Sequence, residues 1–170
     1  MLYTIRKDKE YKKIVKNIFR NVEFKKLYNI EHHGISRMEH SIKISYYSYK
    51  IAKRFRMDYV SVARGGLLHD FYLDGDERNC KRKFLDTFTH PKRALSTTIN
   101  IFDVNEIEKN IIVSHMFPFY IKIPKYKESF LVNLVDKIIG GIELLRGFGY
   151  KCTYRFNYTY VFMLLLISRW

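Results

Sequence analysis

The stretch Gly65-Gly66-Leu67-Leu68-His69-Asp70-Phe71 constrains the fold most: an apolar run ending in an adjacent imidazole and carboxylate. An ionised carboxylate in a hydrophobic interior costs several kcal/mol unless a positive or hydrogen-bonding partner meets it, and a divalent metal ion meets that need for both side chains at once. A chain that buries this pair must bring further ligands to it. Candidates are present in His40 upstream and in His90, His115 and Asp136 downstream, each beside apolar residues instead of in a charged loop.

The intervals between these residues read as helices. From Asp8 to Asn29 the residues Tyr11, Ile14, Val15, Ile18, Phe19, Val22 and Leu27 recur near the helical period, with a possible restart at Asn21. Gly34 marks a break, after which Ser36 caps a helix and Glu39 completes a capping box; this helix carries Ile42, Ile44, Tyr47, Ile51 and Ala52, with His40 inward in its first turn. Asp58 caps the helix that bears the His-Asp pair, with Val60, Ala63, Leu67 and Leu68 as its inner stripe. Each glycine inside that helix costs about 1 kcal/mol relative to alanine. Gly65 and Gly66 therefore point to a close approach by another helix or a ligand.

Polar residues from Asp74 through Lys83 read as a long surface loop, and Pro91 as the first residue of a helix over Lys92 to Phe102, which puts His90 at a helix start. Val104 to His115 reads as the next helix, with Ile107, Ile111 and Ile112 inward, stopped by Met116-Phe117-Pro118. Ser129 then caps a long helix through Leu145, whose inner side of Leu131, Val132, Val135, Ile138, Ile139 and Ile142 carries Asp136. Gly147 and Gly149 end it, and an apolar, aromatic-rich helix over about 155–168 closes the chain. With no strand pattern and no internal repeat, the expected fold is a single all-α domain over residues 1–170, a helical bundle with a site between helices.

The order His40, His69-Asp70, His90, His115, Asp136 resembles the HD-domain superfamily of metal-dependent phosphohydrolases, over about Gly34 to Gly140. The resemblance implies an all-helical HD-domain bundle and a metal-dependent hydrolase that cleaves phosphate esters or anhydrides, often in nucleotides. It implies that His40, His69, Asp70 and Asp136 bind a first ion. It also implies that His90 and His115 bind a second, with Asp70 bridging a binuclear site. Mixed imidazole and carboxylate ligands suit iron, manganese, zinc, cobalt or nickel more than magnesium, and a water between two such cations is deprotonated near neutral pH and attacks phosphorus. Many members follow the His-Asp pair with glycine and lysine, where this chain has Phe71-Tyr72-Leu73. That departure, with a lone His115-Met116 in place of paired histidines, argues against the cyclic-dinucleotide phosphodiesterase branch; the pattern looks most like the small bacterial hydrolases, among them the diadenosine-tetraphosphate type.

Each ligand taken singly has an ordinary reading: His90 as a cap, His115 as a partner for a helix dipole, Asp136 as one half of a surface pair with Lys137. The joint placement of four of the six histidines on the expected positions argues for the site. Around it, Arg37 could grip a phosphate bidentately and His33 could give a proton to a leaving oxygen, or both could belong to a solvated loop. Lys137, adjacent to Asp136, must point away from it unless the helix end bends, though it could reach a substrate phosphate. Asp74, one turn past Asp70, lies where some nucleotide- and alarmone-hydrolysing relatives carry an acid that orients water, a catalytic role to set against that of a loop acid.

The formal charge of +14 fits an anionic small substrate such as a nucleotide. The basic residues are scattered among Ile, Asn, Tyr and Phe, which favours a solvated basic surface over a nucleic-acid interface. Cys80 and Cys152 show no ligand-pair spacing, and the charged N-terminal stretch is no secretory signal, so a reducing cytoplasmic setting is expected. The apolar Tyr158 to Ile167 falls short of the roughly 20 residues that span a bilayer. It reads as a buried helix or a homodimer contact, with no transmembrane segment. Two other functions stay open: a catalytically degenerate HD module that binds a nucleotide or protein partner, and a membrane-associated accessory protein.

Overall fold

The computed structural model describes residues 5, 7–32, 35–73 and 80–146, and the side chains of these apart from 31, 32 and 80–88. The chain there is all-α. Helix α1 (Lys9–Arg20) leads through the short α2 (Val22–Lys25) and a 3-10 turn (Lys26–Asn29) to α3 (Arg37–Arg54) and α4 (Tyr59–Leu68). Then come α5 (Cys80–Ile101), α6 (Glu106–Ser114) and α7, residues 127–146. Among the described residues the extended pairing is one antiparallel ladder of two-residue strands, β1 (Glu31–His32) with β2 (Ile35–Ser36).

Short polar side chains start these helices by satisfying backbone N–H groups that have no partner in the first turn. Asp8 accepts from the Tyr11 N–H, Ser36 from Glu39 and Asp58 from Ser61. Asn21 both ends α1 and caps α2, accepting from the Phe24 N–H, which is the expected restart. The Glu39 carboxylate pairs with Lys43 at 3.2 Å, and a reciprocal capping box is found instead at Asn105 and Glu108. Ser129 is no cap: it lies buried inside the first turn of α7.

Helix α4 sits between two apolar clusters. Ala63, Leu67 and Leu68 pack with Tyr11, Val15, Ile18, Phe24, Leu27, Tyr49 and Phe71, while Val62 packs with Ile44, Ala52, Ile111, Val132 and Val135. Val60, expected in the inner stripe, is exposed, as are Tyr47 on α3 and Ile138 and Ile142 on α7. On α3 the buried positions after Arg37 and His40 are Ser41, Ile44, Ser45, Tyr46, Ser48, Tyr49 and Ala52. A serine serves at position 45 because the backbones of α3 and α4 come close: a Cβ on Gly66 would lie 3.1 Å from the Ser45 Cα, while one on Gly65 would lie 2.8 Å from the side-chain Cδ1 of Ile111. The Ser45 hydroxyl donates to the Ala63 carbonyl at 2.5 Å and accepts from the Tyr11 hydroxyl at 2.7 Å, tying α1, α3 and α4 together. Gly66→Ala is expected to destabilise the fold by about 1–3 kcal/mol, because backbone has no alternative rotamer with which to yield. Urea denaturation reads this directly, and an unchanged midpoint would show that α3 and α4 can separate at little cost.

Helix α5 corrects the expected helix start at Pro91. It begins at Cys80, inside the stretch taken for loop, and carries Pro91 within it. Proline removes one hydrogen bond and disfavours helical geometry just before it. Against this, His90, Pro91, Ala94 and Thr98 are buried along one face, and that burial holds the helix continuous. No helix among the described residues is long and apolar enough to cross a membrane. Gly147, Gly149 and the segment 155–168 lie outside the described residues, as do Asp74 and His33.

Candidate metal centre

Two of the six side chains arrive by the same local device. His69 is the C-cap of α4 and His115 the C-cap of α6, where the last carbonyls of a helix lack intrahelical partners. His69 Nδ1–H donates to the Gly66 carbonyl at 2.8 Å, and His115 Nδ1–H to the Ile112 carbonyl at 2.7 Å. Each bond sets the tautomer, leaving Nε2 as the bare nitrogen turned toward the centre of the bundle. His40 comes from the first turn of α3, His90 from the middle of α5, Asp136 from α7, and Asp70 follows directly on α4. All six are buried.

The donor atoms form a connected set. Asp136 Oδ1 lies 3.2 Å from His40 Nε2 and 3.8 Å from His69 Nε2. Asp70 Oδ2 lies 3.8 Å from His69 Nε2, while Asp70 Oδ1 faces His115 Nε2 at 3.4 Å and His90 Nε2 at 3.5 Å. His90 Nε2 and His115 Nε2 are 2.9 Å apart. Ligand atoms held about 2.1 Å from one ion stand about 3.0–3.4 Å from each other at octahedral or tetrahedral angles, so most of these separations approach the edges of a coordination polyhedron. Two triads, His40/His69/Asp136 and His69/Asp70/His115, have their ligand atoms within 4.8 Å of one another. The two oxygens of Asp70 face opposite halves of the set, as a bridging ligand requires.

The polar atoms give a second test of fit. His69 Nε2 is buried with no hydrogen-bond partner, the condition a coordinating ion relieves. Burial pushes His69 down to about 4, so its lone pair is available. Burial also opposes charge on His40, but its hydrogen bonds to Asp136 and Glu143 prevail and lift it to about 9. For Asp70 burial raises the carboxyl, yet the imidazoles of His69, His115 and His90 outweigh it and hold the group well below the usual carboxylate range. Asp136 is lowered in the same way, against burial, by His40 and His69. The donor set fits borderline divalent cations.

Glu143 belongs to this site and escaped the sequence reading. Its Oε2 accepts from His40 Nδ1–H at 2.7 Å and its Oε1 from Lys43 at 2.9 Å, so it orients the His40 ring. The available signal was spacing: Glu143 lies two turns beyond Asp136 on α7, and Lys43 nearly one turn beyond His40 on α3. Lys137, expected to point away from Asp136, turns back onto it, donating to Asp136 Oδ2 at 3.1 Å and to the His115 carbonyl at 2.7 Å. Arg37 is buried and donates to the Tyr72 carbonyl at 2.9 Å and the Tyr72 hydroxyl at 3.0 Å. Comparison of the chain with family models, with curated proteins and with solved structures finds no match.

Proposed function

We propose that this chain is an HD-type, metal-dependent phosphohydrolase that cleaves an ester or anhydride of a small phosphorylated compound, a nucleotide in the first instance. The observation that carries the reading is the convergence of six buried imidazole and carboxylate side chains from five helical segments on one set of donor atoms. His40, His69, Asp70 and Asp136 would hold one ion, and His90 and His115 with Asp70 a second, drawn from iron, manganese, zinc, cobalt or nickel. Such a pair, when bound, supplies a water activated near neutral pH and neutralises charge on a phosphoryl group.

The remaining chemistry falls to the chain itself. Hydrolysis joins the oxygen of water to phosphorus and releases the leaving oxygen with the bonding electrons, to which a proton is added. Glu143 keeps His40 in place, and Lys137 holds Asp136 and the end of α6 together, bringing positive charge beside a bound phosphate. Arg37 adds a second cation at the Tyr72 edge. His33 and Asp74 are proposed as proton donor and water-orienting acid from the sequence alone. A cytoplasmic setting and a homodimer complete the proposal.

Elemental analysis of gently purified protein tests the site first, with about two transition-metal ions per chain expected. Phosphate release from a generic aryl phosphate ester with manganese tests the activity. Protein that retains no metal and releases no phosphate under either condition would remove the assignment. Glu143→Gln is expected to weaken metal retention about 10–100-fold, the usual cost of losing the partner that orients a ligating histidine. Competition against a chelator measures it, and undiminished retention would reduce Glu143 to a structural acid.

A further inference from the structure

Helix α6 ends at Ser114, and its last carbonyls have no partner within the helix. His115, proposed above with His90 as a ligand of the second ion, is the first residue past that end. Its ring donates to Ile112 of its own helix, but its backbone is held from α7. The Asn133 amide donates to the His115 carbonyl at 2.5 Å and to the Phe117 carbonyl at 2.8 Å, and the Ser114 carbonyl accepts from the same nitrogen at 3.3 Å. An amide nitrogen carries two hydrogens, so the two shorter bonds are direct and the third is shared. Asn133 is itself buried, and an aspartate of the same shape would set oxygen against three carbonyl oxygens.

Asn133, Asp136 and Lys137 share one face of α7, being three and four residues apart. Lys137 donates to that same His115 carbonyl and to Asp136. The face that presents a ligand proposed for the first ion therefore also holds the backbone of one proposed for the second. His115 Nε2 stands 3.4 Å from Asp70 Oδ1 and 2.9 Å from His90 Nε2, and a small drift at the end of α6 would take it out of reach of an ion that needs its ligands at about 2.1 Å. Resting on the hydrolase reading above, we infer that Asn133 is a positioning residue: it fixes His115 against the α7 face that carries Asp136, and so sets whether a second ion binds beside the first. Asn133 acts through His115 and supplies no ligand itself.

Asn133→Leu removes the donors at similar volume. After dialysis of the full-length protein against a weak chelator, metal content is expected to fall from about two ions per chain to about one, the second ion being held about 10–100-fold more weakly. Asn133→Gln keeps the NH2 group on a longer arm and is expected to lose less; it carries the same comparison if the leucine variant does not fold. Asn110→Leu is the control. It removes another buried amide, the acceptor for the Lys125 N–H, without touching His115, and is expected to lose stability while keeping both ions. A merely structural Asn133 would behave like Asn110, and that result, or equal loss of both ions, overturns the inference and leaves the hydrolase standing. Long-range proton–nitrogen NMR of the histidine rings in chelator needs no metal. His115 is expected to keep its Nδ1–H form in wild type and to mix tautomers in Asn133→Leu, while His69 stays unchanged. Wild type that binds no metal overturns the hydrolase reading, and the His115 signal still decides: an unchanged tautomer in the variant overturns the role of Asn133, and a mixed one supports it.

Discussion

The Asp70→Asn variant is expected to fold, to lose its metal ions and to hydrolyse phosphorylated substrates about a thousandfold more slowly. Asp70 is the residue that joins the two halves of the donor set, with one oxygen toward His69 and the other toward His90 and His115. Asparagine keeps the shape and one acceptor oxygen but removes the negative charge and one of the two ligand atoms. Cooperative unfolding in chelator is expected to stay intact, since a neutral amide is cheaper to bury than a carboxylate. A merely structural Asp70, present to pair with imidazoles, would give the reverse: lost stability with metal content unchanged. Elemental analysis and denaturation of the same preparation separate the two, and a variant that keeps both metal and rate would end the case for a bridging ligand.

Where one residue type answers one local need, the fold was readable from the sequence. Ser36 and Asp58 cap helices where expected and Asn21 restarts one, because a short acceptor ahead of an amphipathic run has few other uses. Gly65 and Gly66 signalled close packing and have it. Elsewhere the face toward the core was misjudged. Hydrophobic periodicity favoured Tyr47 and Ile51 on α3, but both are exposed, while Ser41, Ser45 and Ser48 are buried and close approach to α4 requires a small residue at Ser45. A serine is invisible to a hydrophobicity pattern until its hydroxyl has a partner, which Ala63 supplies to Ser45. Pro91 misled in the opposite direction, since a local rule about helix starts gave way to burial of the whole α5 face.

The residues proposed as metal ligands were legible for a different reason. Imidazole beside apolar residues is uncommon enough that His40, His69, His90 and His115 each stood out, and Asp136 stood out by interrupting an apolar run. Glu143 did not: an acid near two glycines and a lysine-rich surface reads as solvated, and only the fold brings it to His40.

His69→Leu is expected to reverse the order of stability with and without metal. In chelator, wild type carries a buried His69 Nε2 with no partner, and leaving such an atom unsatisfied costs about 1–3 kcal/mol. Leucine fills similar volume with no polar atom to desolvate, so the metal-free variant is expected to unfold at an equal or higher temperature than wild type. Added manganese or zinc reverses this. A ligand that binds only the folded state adds about 2.7 kcal/mol at one hundred times its dissociation constant, raising the wild-type midpoint by several degrees. The variant, without the nitrogen common to both triads, is expected to respond little. The crossing is what the proposed metal site requires, since side chains placed to hold cations instead of to pack exchange stability for function. Thermal scans of both proteins in chelator and in metal decide it: parallel shifts would place the bound ion somewhere other than this cluster, and no shift in wild type would show that the cluster is a network of ordinary hydrogen bonds.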